Sequence, residues 1–198
     1  MVRRRDLEEA DAADNSLREF VNARNVRRNH QMQDSKNGVN SFMFNHRPVV
    51  TDDFETISRF PQNQTELFFM YPKGTFPLTA RQLEESALNR KKPTVITYQE
   101  ELIGYCNLYD VTKEDCWLGN VIISPSCRGM GVGSYLIRTM KEIAKQELQV
   151  NHFRLVCHNI NTDALLFYAK LGFLPFGLKI MNDPKGKEIV GIKMEMKL

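Results

Sequence analysis

Long apolar runs are missing from this sequence, and their absence excludes one class of protein at once. No stretch approaches the roughly 18 consecutive apolar residues that a membrane-spanning helix needs. The N-terminus turns acidic directly after three arginines and lacks the apolar core of a signal peptide. We therefore expect no membrane partner and a cytoplasmic location.

Cysteine is scarce, and no two cysteines are spaced as metal ligands or as a redox pair. The chain has four cysteines and four histidines, with no Cys-x-x-Cys pair and no cysteine at ligand spacing from a histidine. This pattern favours free thiols in a reducing compartment, and we expect no metal. The cysteines are Cys106, Cys116, Cys127 and Cys157.

A strong charge of one sign is also missing. The net charge is +3, with 8 bases and 7 acids in the first 41 residues and 19 bases and 17 acids in the rest. Because no basic stripe forms, nucleic acid is not expected as a partner. The hydrophobic fraction of 42% is typical of a globular core and not of a disordered chain.

Composition divides the chain near residue 42. Residues 1–41 are polar and poor in large apolar residues, so we interpret them as an N-terminal arm or extension, with a helix over 18–28. Residues 42–198 show the strand and helix patterns of one α/β domain.

The patterns in residues 42–198 predict the order β-α-α-α-β-β-β-α-β-α-β-β. This order predicts an α/β fold with a mixed, mostly antiparallel central sheet and helices on both faces. Thr51 is the predicted N-cap of the first helix, and Thr79 with Gln82 forms a capping box for the third. The predicted strands occupy 42–50, 93–98, 102–111, 117–124, 152–158, 174–181 and 189–198, and the helices begin near 51, 64, 79, 131 and 162. The fourth helix is predicted to end at Leu148 and the fifth at Leu171, with Gly172 suited to the left-handed position after it.

The most informative segment is 121–134, VIISPSCRGMGVGS, in which a strand ends, a glycine-rich turn follows and a long amphipathic helix begins. The glycines let backbone N–H groups converge on an oxygen-rich ligand, and the helix start adds unpaired N–H groups and a positive dipole end. We predict a site for phosphate or pyrophosphate. No lysine follows the glycines, which excludes a P-loop, and Ser134 replaces the last glycine of a dinucleotide fingerprint.

With Arg128-x-x-Gly131-x-Gly133 directly after a strand, the chain resembles the GNAT superfamily of N-acetyltransferases. Their signature in this setting is Gln/Arg-x-x-Gly-x-Gly/Ala. The resemblance extends to a second family motif that begins at Asn161 and ends at Gly172-Phe173, and it covers about residues 42–198. It implies acetyl-CoA as the acyl donor and an amine acceptor, either a small molecule or a protein.

The resemblance also implies roles for single residues. Asn161 would bond the pantetheine arm, although a plain N-cap explains it equally well. Tyr168 would protonate the leaving thiolate, with a core tyrosine as the alternative. Backbone amides of the turn would hold the pyrophosphate, and the end of the strand would pair its backbone with pantetheine. The turn residues are Arg128, Gly129, Met130, Gly131, Val132, Gly133 and Ser134, and the strand residues are Val121, Ile122 and Ile123.

The general base is not assigned by the resemblance. An alkyl amine of pKa ~10.4 must lose a proton before it attacks, which costs about 4.6 kcal/mol at pH 7. Many relatives keep a glutamate for this on the strand of residues 117–123, where this chain has only Asn120. The proton therefore leaves through water or through Asp115, our first candidate. Cys127 has no base to activate it, and the candidates for the acceptor pocket, or else ordinary core residues, are Phe69, Tyr71 and Phe76.

Two functions remain open at this point. The first is acetyl transfer by direct attack of the amine on the thioester, with a strand N–H polarising the carbonyl. The second is a non-catalytic module that binds acetyl-CoA as a sensor. Tyr168 favours the enzyme, whereas the missing strand glutamate favours the sensor. Assembly as a homodimer is left open.

Overall fold

The structure is a computed structural model, and it describes residues 44–198. The described residues belong to one compact unit, Met43–Leu198. The predicted arm and its helix lie outside the described residues. No helix of the described residues is long and apolar enough to cross a membrane.

Seven strands form one sheet in the order β1-β2-β3-β4-β5-β7-β6. All neighbours are antiparallel except β4 and β5, which are parallel. The predicted mixed, mostly antiparallel sheet is therefore confirmed. The strands are β1 (Asn45–Pro48), β2 (Lys91–Tyr98), β3 (Glu101–Tyr109), β4 (Asp115–Ile123), β5 (His152–His158), β6 (Leu174–Asn182) and β7 (Glu188–Lys197).

Five α-helices cover the two faces of this sheet. Successive side chains of a strand point to opposite faces. In β3, Tyr105 packs edge-on against Phe54 of the first helix. The next residue, Cys106, is on the other face, close enough to Tyr168 of the last helix to contribute to its raised pKa. The fourth helix continues into a π-helical turn, Ile143–Glu147, and so reaches almost its predicted end. The helices are α1 (Asp53–Ser58), α2 (Gln64–Met70), α3 (Ala80–Ala87), α4 (Val132–Glu142) and α5 (Thr162–Lys170).

The predicted caps hold in part. Thr79 accepts the N–H of Gln82 at 3.3 Å, but the Gln82 side chain bonds the backbone of Thr75 and does not close the box. The prediction of Thr51 as an N-cap is wrong, because α1 begins one residue later than that cap requires. Asp53 there accepts the N–H of Val50 at 2.8 Å and pairs with Arg47, so the turn is held by a carboxylate.

Candidate active site

The parallel strands β4 and β5 separate along their length. They pair only at their first residues, Asp115 with His152, Cys116 with Phe153 and Trp117 with Arg154. β4 continues to Ile123 and β5 to His158, and between these later residues the structure describes no pairing. The backbone of residues 118–123 thus borders a wedge between the strands, with backbone groups toward β5 that no strand of the described residues engages.

A bulge at Asn120 contributes to this separation. Asn120 has a φ of +52°, and the register of β3 and β4 shifts between Tyr105 and Asn107. Its buried side chain donates to the Met70 carbonyl at 3.2 Å and accepts from Asn107 at 2.9 Å. Because a bulge bends its strand and increases its twist, these bonds direct the end of β4 away from β5.

The glycine turn lies at the open end of the wedge. Gly129 and Gly131 have φ of +71° and +89°, where side chains are disfavoured, and a Cβ added at either would meet no atom within 4 Å. Gly131 is the N-cap of α4 and offers no side chain to its first N–H groups. Those groups have no acceptor within the helix, and they bring the positive end of the dipole to the open space beside Gly131. This arrangement fits a pyrophosphate.

Gly133 has a different function from the two glycines before it. A Cβ at Gly133 would lie 3.2 Å from Cζ of Phe167 in α5. The missing side chain therefore allows α4 and α5 to approach closely beside the turn.

Arg128 uses its side chain to hold the turn in place. Its guanidinium forms two bonds with the Glu66 carboxylate of α2, at 2.9 and 2.8 Å, and one with the Ile123 carbonyl at 3.3 Å. The hydrogen bond from Arg128 lowers the pKa of Glu66, so the pair stays ionised at neutral pH. The guanidinium charge of Arg128 is thus paired with Glu66, and the backbone amide of Arg128 is the group placed to bind a ligand.

Tyr168 lies on the inner face of α5, 9% exposed. Its ring packs edge-on against Phe173 at 5.7 Å, in the turn where Gly172 takes the predicted left-handed conformation. Burial raises the pKa of the phenol, with smaller contributions from Cys157 of β5 and Cys106 of β3. Its proximity to strands on both sides of β4 places Tyr168 beside the wedge, and the raised pKa keeps the phenol protonated.

Asn161 is the N-cap of α5, since its Oδ1 accepts the N–H of Ala164 at 3.3 Å. This confirms the structural role proposed for it, and its contact with pantetheine stays a prediction.

The position of Asp115 argues against its use as the base. Asp115 begins β4, and its carboxylate accepts from Arg154 at 2.5 Å, while Arg154 also bonds Glu195 at 3.1 Å. Val121 is six residues further along the strand, a separation of about 20 Å at ~3.3 Å per residue. The sequence pattern could not show the Arg154 partner, because that contact depends on the pairing of β4 with β5.

The three candidates for the acceptor pocket have different surroundings. Phe69 of α2 stacks on His158 with ring centroids 5.8 Å apart, whereas Tyr71 packs against the core below α1–α3. Phe76 is in the following loop and is 39% exposed. Sequence reasoning missed His158, because nothing in a single strand shows which residues face it across the sheet.

The four cysteines are free and buried. Burial raises the pKa of Cys127, so its thiol stays protonated and is a poor nucleophile. This agrees with the prediction that Cys127 takes no part in the chemistry.

A wedge between two parallel strands, with a glycine turn at its end, has the shape and the backbone donors that an elongated phosphate-bearing ligand requires. Comparison with known protein families identifies the class: the model of the family described as "Acetyltransferase (GNAT) family" matches residues 57–173. This match covers more than half of the chain, and the chain therefore belongs to the acetyltransferase (GNAT) family.

The similarity to an individual curated protein is lower and covers only part of the chain. The Bacillus subtilis (strain 168) protein named "Putative ribosomal protein bS18-alanine N-acetyltransferase" is 29% identical over 85 residues, which are 43% of this chain and 55% of the relative. The match thus spans about half the length of that relative.

Two solved structures share the fold. A variant of a spermidine N-acetyltransferase from Vibrio cholerae is 20% identical, with 78% of this chain and 93% of that chain covered and a TM-score of 0.64. A GNAT family acetyltransferase from Elizabethkingia anophelis with acetyl-CoA bound is 18% identical, with 78% and 98% covered and a TM-score of 0.57.

Proposed function

We propose that this protein transfers the acetyl group of acetyl-CoA to a primary amine. The observation that carries the proposal is that three features meet at one end of the β4–β5 wedge: a strand edge for pantetheine, an open turn for pyrophosphate and a buried phenol. The extended backbone of Val121, Ile122 and Ile123 would pair with the amide groups of pantetheine. The amides of residues 128–134 would hold the pyrophosphate.

Acetyl-CoA supplies an activated carbonyl carbon, and the chain's own groups assist its transfer. The amine attacks that carbon directly, so the new C–N bond forms as the C–S bond breaks. A backbone N–H of residues 121–123 would stabilise the developing charge on the carbonyl oxygen. Tyr168 would donate its proton to the departing sulfur and recover one from solvent.

The acceptor we consider first is the α-amine of a peptide. An α-amine has a pKa of ~7.7–8.0, so at pH 7 its deprotonation costs about 1 kcal/mol, compared with several for an alkyl amine. Residues 116–123 of β4 contain no acid, and Glu66 of α2 is engaged by Arg128, so the wedge offers little to attract a polycation. The similarity to a protein named for alanine N-acetylation supports the same choice.

Release of free thiol from acetyl-CoA tests this function. We expect release with a hexapeptide that begins with alanine, and slower release with spermidine and with an aminoglycoside. Mass spectrometry of the peptide should show one added acetyl group at its N-terminus. If the protein bound acetyl-CoA but released no thiol with any of these amines, the result would favour the alternative function, a sensor of acetyl-CoA. The absence of an acid over residues 116–123 of β4 favours that alternative.

The N-terminal residues should not be needed for this activity. All seven strands and five helices described above lie within residues 44–198, and so does the core. We expect the chain from Phe42 onward to fold and to bind acetyl-CoA as the full chain does. Circular dichroism melting and calorimetric titration of both chains would check this. An insoluble or non-binding product would make residues 1–41 part of the domain or of a contact between copies.

The cytoplasmic location, the absence of nucleic-acid, membrane and metal partners, and assembly as a homodimer remain predictions.

A further inference from the structure

We propose that His158 is the general base that takes the proton from the acceptor's ammonium group. This assignment rests on the proposed acetyl transfer and supplies the group that Asp115 does not.

The strand register places His158 at the reacting end of the wedge. Trp117 is level with Arg154 in the last of the parallel pairs, and both strands run on from there toward the open end of the wedge. His158 is the last residue of β5, so it borders the wedge across from the end of β4 that would hold the thioester. It points to the same face of the sheet as Arg154, because residues two apart in a strand share a face.

The surroundings of His158 are apolar and leave its nitrogens available. The residue is 4% exposed, and its ring stacks on Phe68 of α2 with centroids 4.6 Å apart and an angle of 29°. Among residues 44–198 its ring makes no hydrogen bond, and neither of its nitrogens is among the fully enclosed side-chain atoms that lack a partner there. The nitrogens of His158 therefore keep a small contact with solvent, through which the acceptor's amine would approach.

The protonation of His158 is set by burial and not by an ion pair. Burial lowers its pKa below the ordinary 6.5, so the imidazole is neutral at pH 7 with a lone pair to accept a proton. In α2 the charged residue is Glu66, which Arg128 holds. β4 carries no charge over residues 116–123, and Gly191 faces His158 from β7. Within β5, Arg154 is neutralised by Asp115 and Glu195.

His158 and Tyr168 lie on opposite faces of the sheet. His158 stacks against α2 on one face, while Tyr168 belongs to α5 on the other, where it interacts with Cys157, the neighbour of His158 in the strand. In the proposed step the ammonium N–H gives its proton to the His158 imidazole, and the neutral amine then forms the C–N bond as the C–S bond breaks and Tyr168 protonates the sulfur. The nitrogen loses its second proton, a proton returns to the Tyr168 phenolate through water, and the imidazolium releases its proton to solvent. Base and acid thus act from the two sides of the carbonyl carbon.

The test is His158→Gln, with His152→Gln, the other histidine of β5, as the matched control. Both variants and the natural chain are assayed with acetyl-CoA and the fastest amine among the alanyl hexapeptide, spermidine and the aminoglycoside, from pH 5.5 to 8.5. General base catalysis is typically worth ~10²–10⁴-fold, and we expect His158→Gln to lose kcat by that order. His152→Gln should keep the natural rate.

The pH profile separates a base from a residue that only packs. In the natural chain kcat/KM should rise to a plateau through a pKa below 6.5, the pH at which His158 becomes neutral. Without the base, the variant must bind an amine that is already neutral, so its kcat/KM should climb about tenfold per pH unit up to the pKa of the amine. Acetyl-CoA affinity, measured by calorimetry, should be the same in all three proteins.

Two results would overturn the assignment. A His158→Gln variant with the natural rate and profile would show that another group takes the proton, while acetyl transfer itself would stand. Loss of acetyl-CoA binding along with activity would show that His158 acts through the fold. If the natural chain acetylated none of the three amines, the proposed function would fail and the assignment with it.

Discussion

Replacing Gly131 with glutamate should abolish acetyl-CoA binding. We expect micromolar affinity for the natural chain and at least a hundredfold loss in Gly131→Glu, measured by calorimetry near neutral pH. The carboxylate would occupy the open space over the turn and would oppose the pyrophosphate with a like charge at the site where the helix start favours an anion. The position is exposed, so folding should survive.

The matched control for this change is Gly186→Glu. Gly186 has a φ of +81° in the turn between β6 and β7, and an added Cβ there also meets nothing within 4 Å. Both substitutions therefore impose a similar backbone strain, on the order of 1–2 kcal/mol, but the control places its carboxylate away from the cofactor turn. Equal affinity in the two variants, both close to the natural chain, would remove the turn from the cofactor site.

Replacing Tyr168 with phenylalanine should reduce turnover with little effect on cofactor binding. The ring packs against Phe167 and Phe173, and phenylalanine keeps that packing, so stability and acetyl-CoA affinity should change little. The hydroxyl is required only as the C–S bond breaks, and its loss should therefore appear in kcat, by ~10²–10⁴-fold. Steady-state kinetics with a parallel binding titration would measure both effects.

Tyr135→Phe controls for the loss of a phenol hydroxyl elsewhere in the domain. Tyr135 is in α4, where its ring packs against Phe44 and its hydroxyl lies 3.4 Å from Nδ1 of His46. We expect this variant to keep the natural kcat. Should Tyr168→Phe do the same, Tyr168 is a core residue, and the thiolate obtains its proton from water.

Signals that act over a few residues could be predicted from the sequence. The strand–turn–helix of residues 121–134, the cap at Thr79 and the left-handed turn at Gly172 depend on neighbours along the chain, and each was found in the structure. The same holds for the element order, because hydrophobic periodicity is local.

The rest of the site depends on which strands are neighbours. Asp115 was chosen for its residue type, and its bond to Arg154 follows only from the parallel pairing of β4 with β5. His158 was missed for the same reason, and so was the Glu66 partner of Arg128, 62 positions away in sequence. The register between two strands is a property of the folded sheet, and it cannot be derived from the sequence of one strand alone.

The limited pairing of β4 with β5 has a consequence for the mechanics of the whole domain. Three residue pairs join two half-sheets, one of β1–β4 and one of β5–β7, so the junction is the part of the sheet with the fewest backbone bonds to break. A ligand arm bound in the wedge would form backbone hydrogen bonds where the two strands form none with each other, and it would thereby connect the two half-sheets. At a hundred times its dissociation constant such a ligand stabilises the folded state by about 2.7 kcal/mol. The resistance of the domain to unfolding would then rise and fall with the supply of acetyl-CoA, and the chain would be most vulnerable to proteolysis when acetyl groups are scarce.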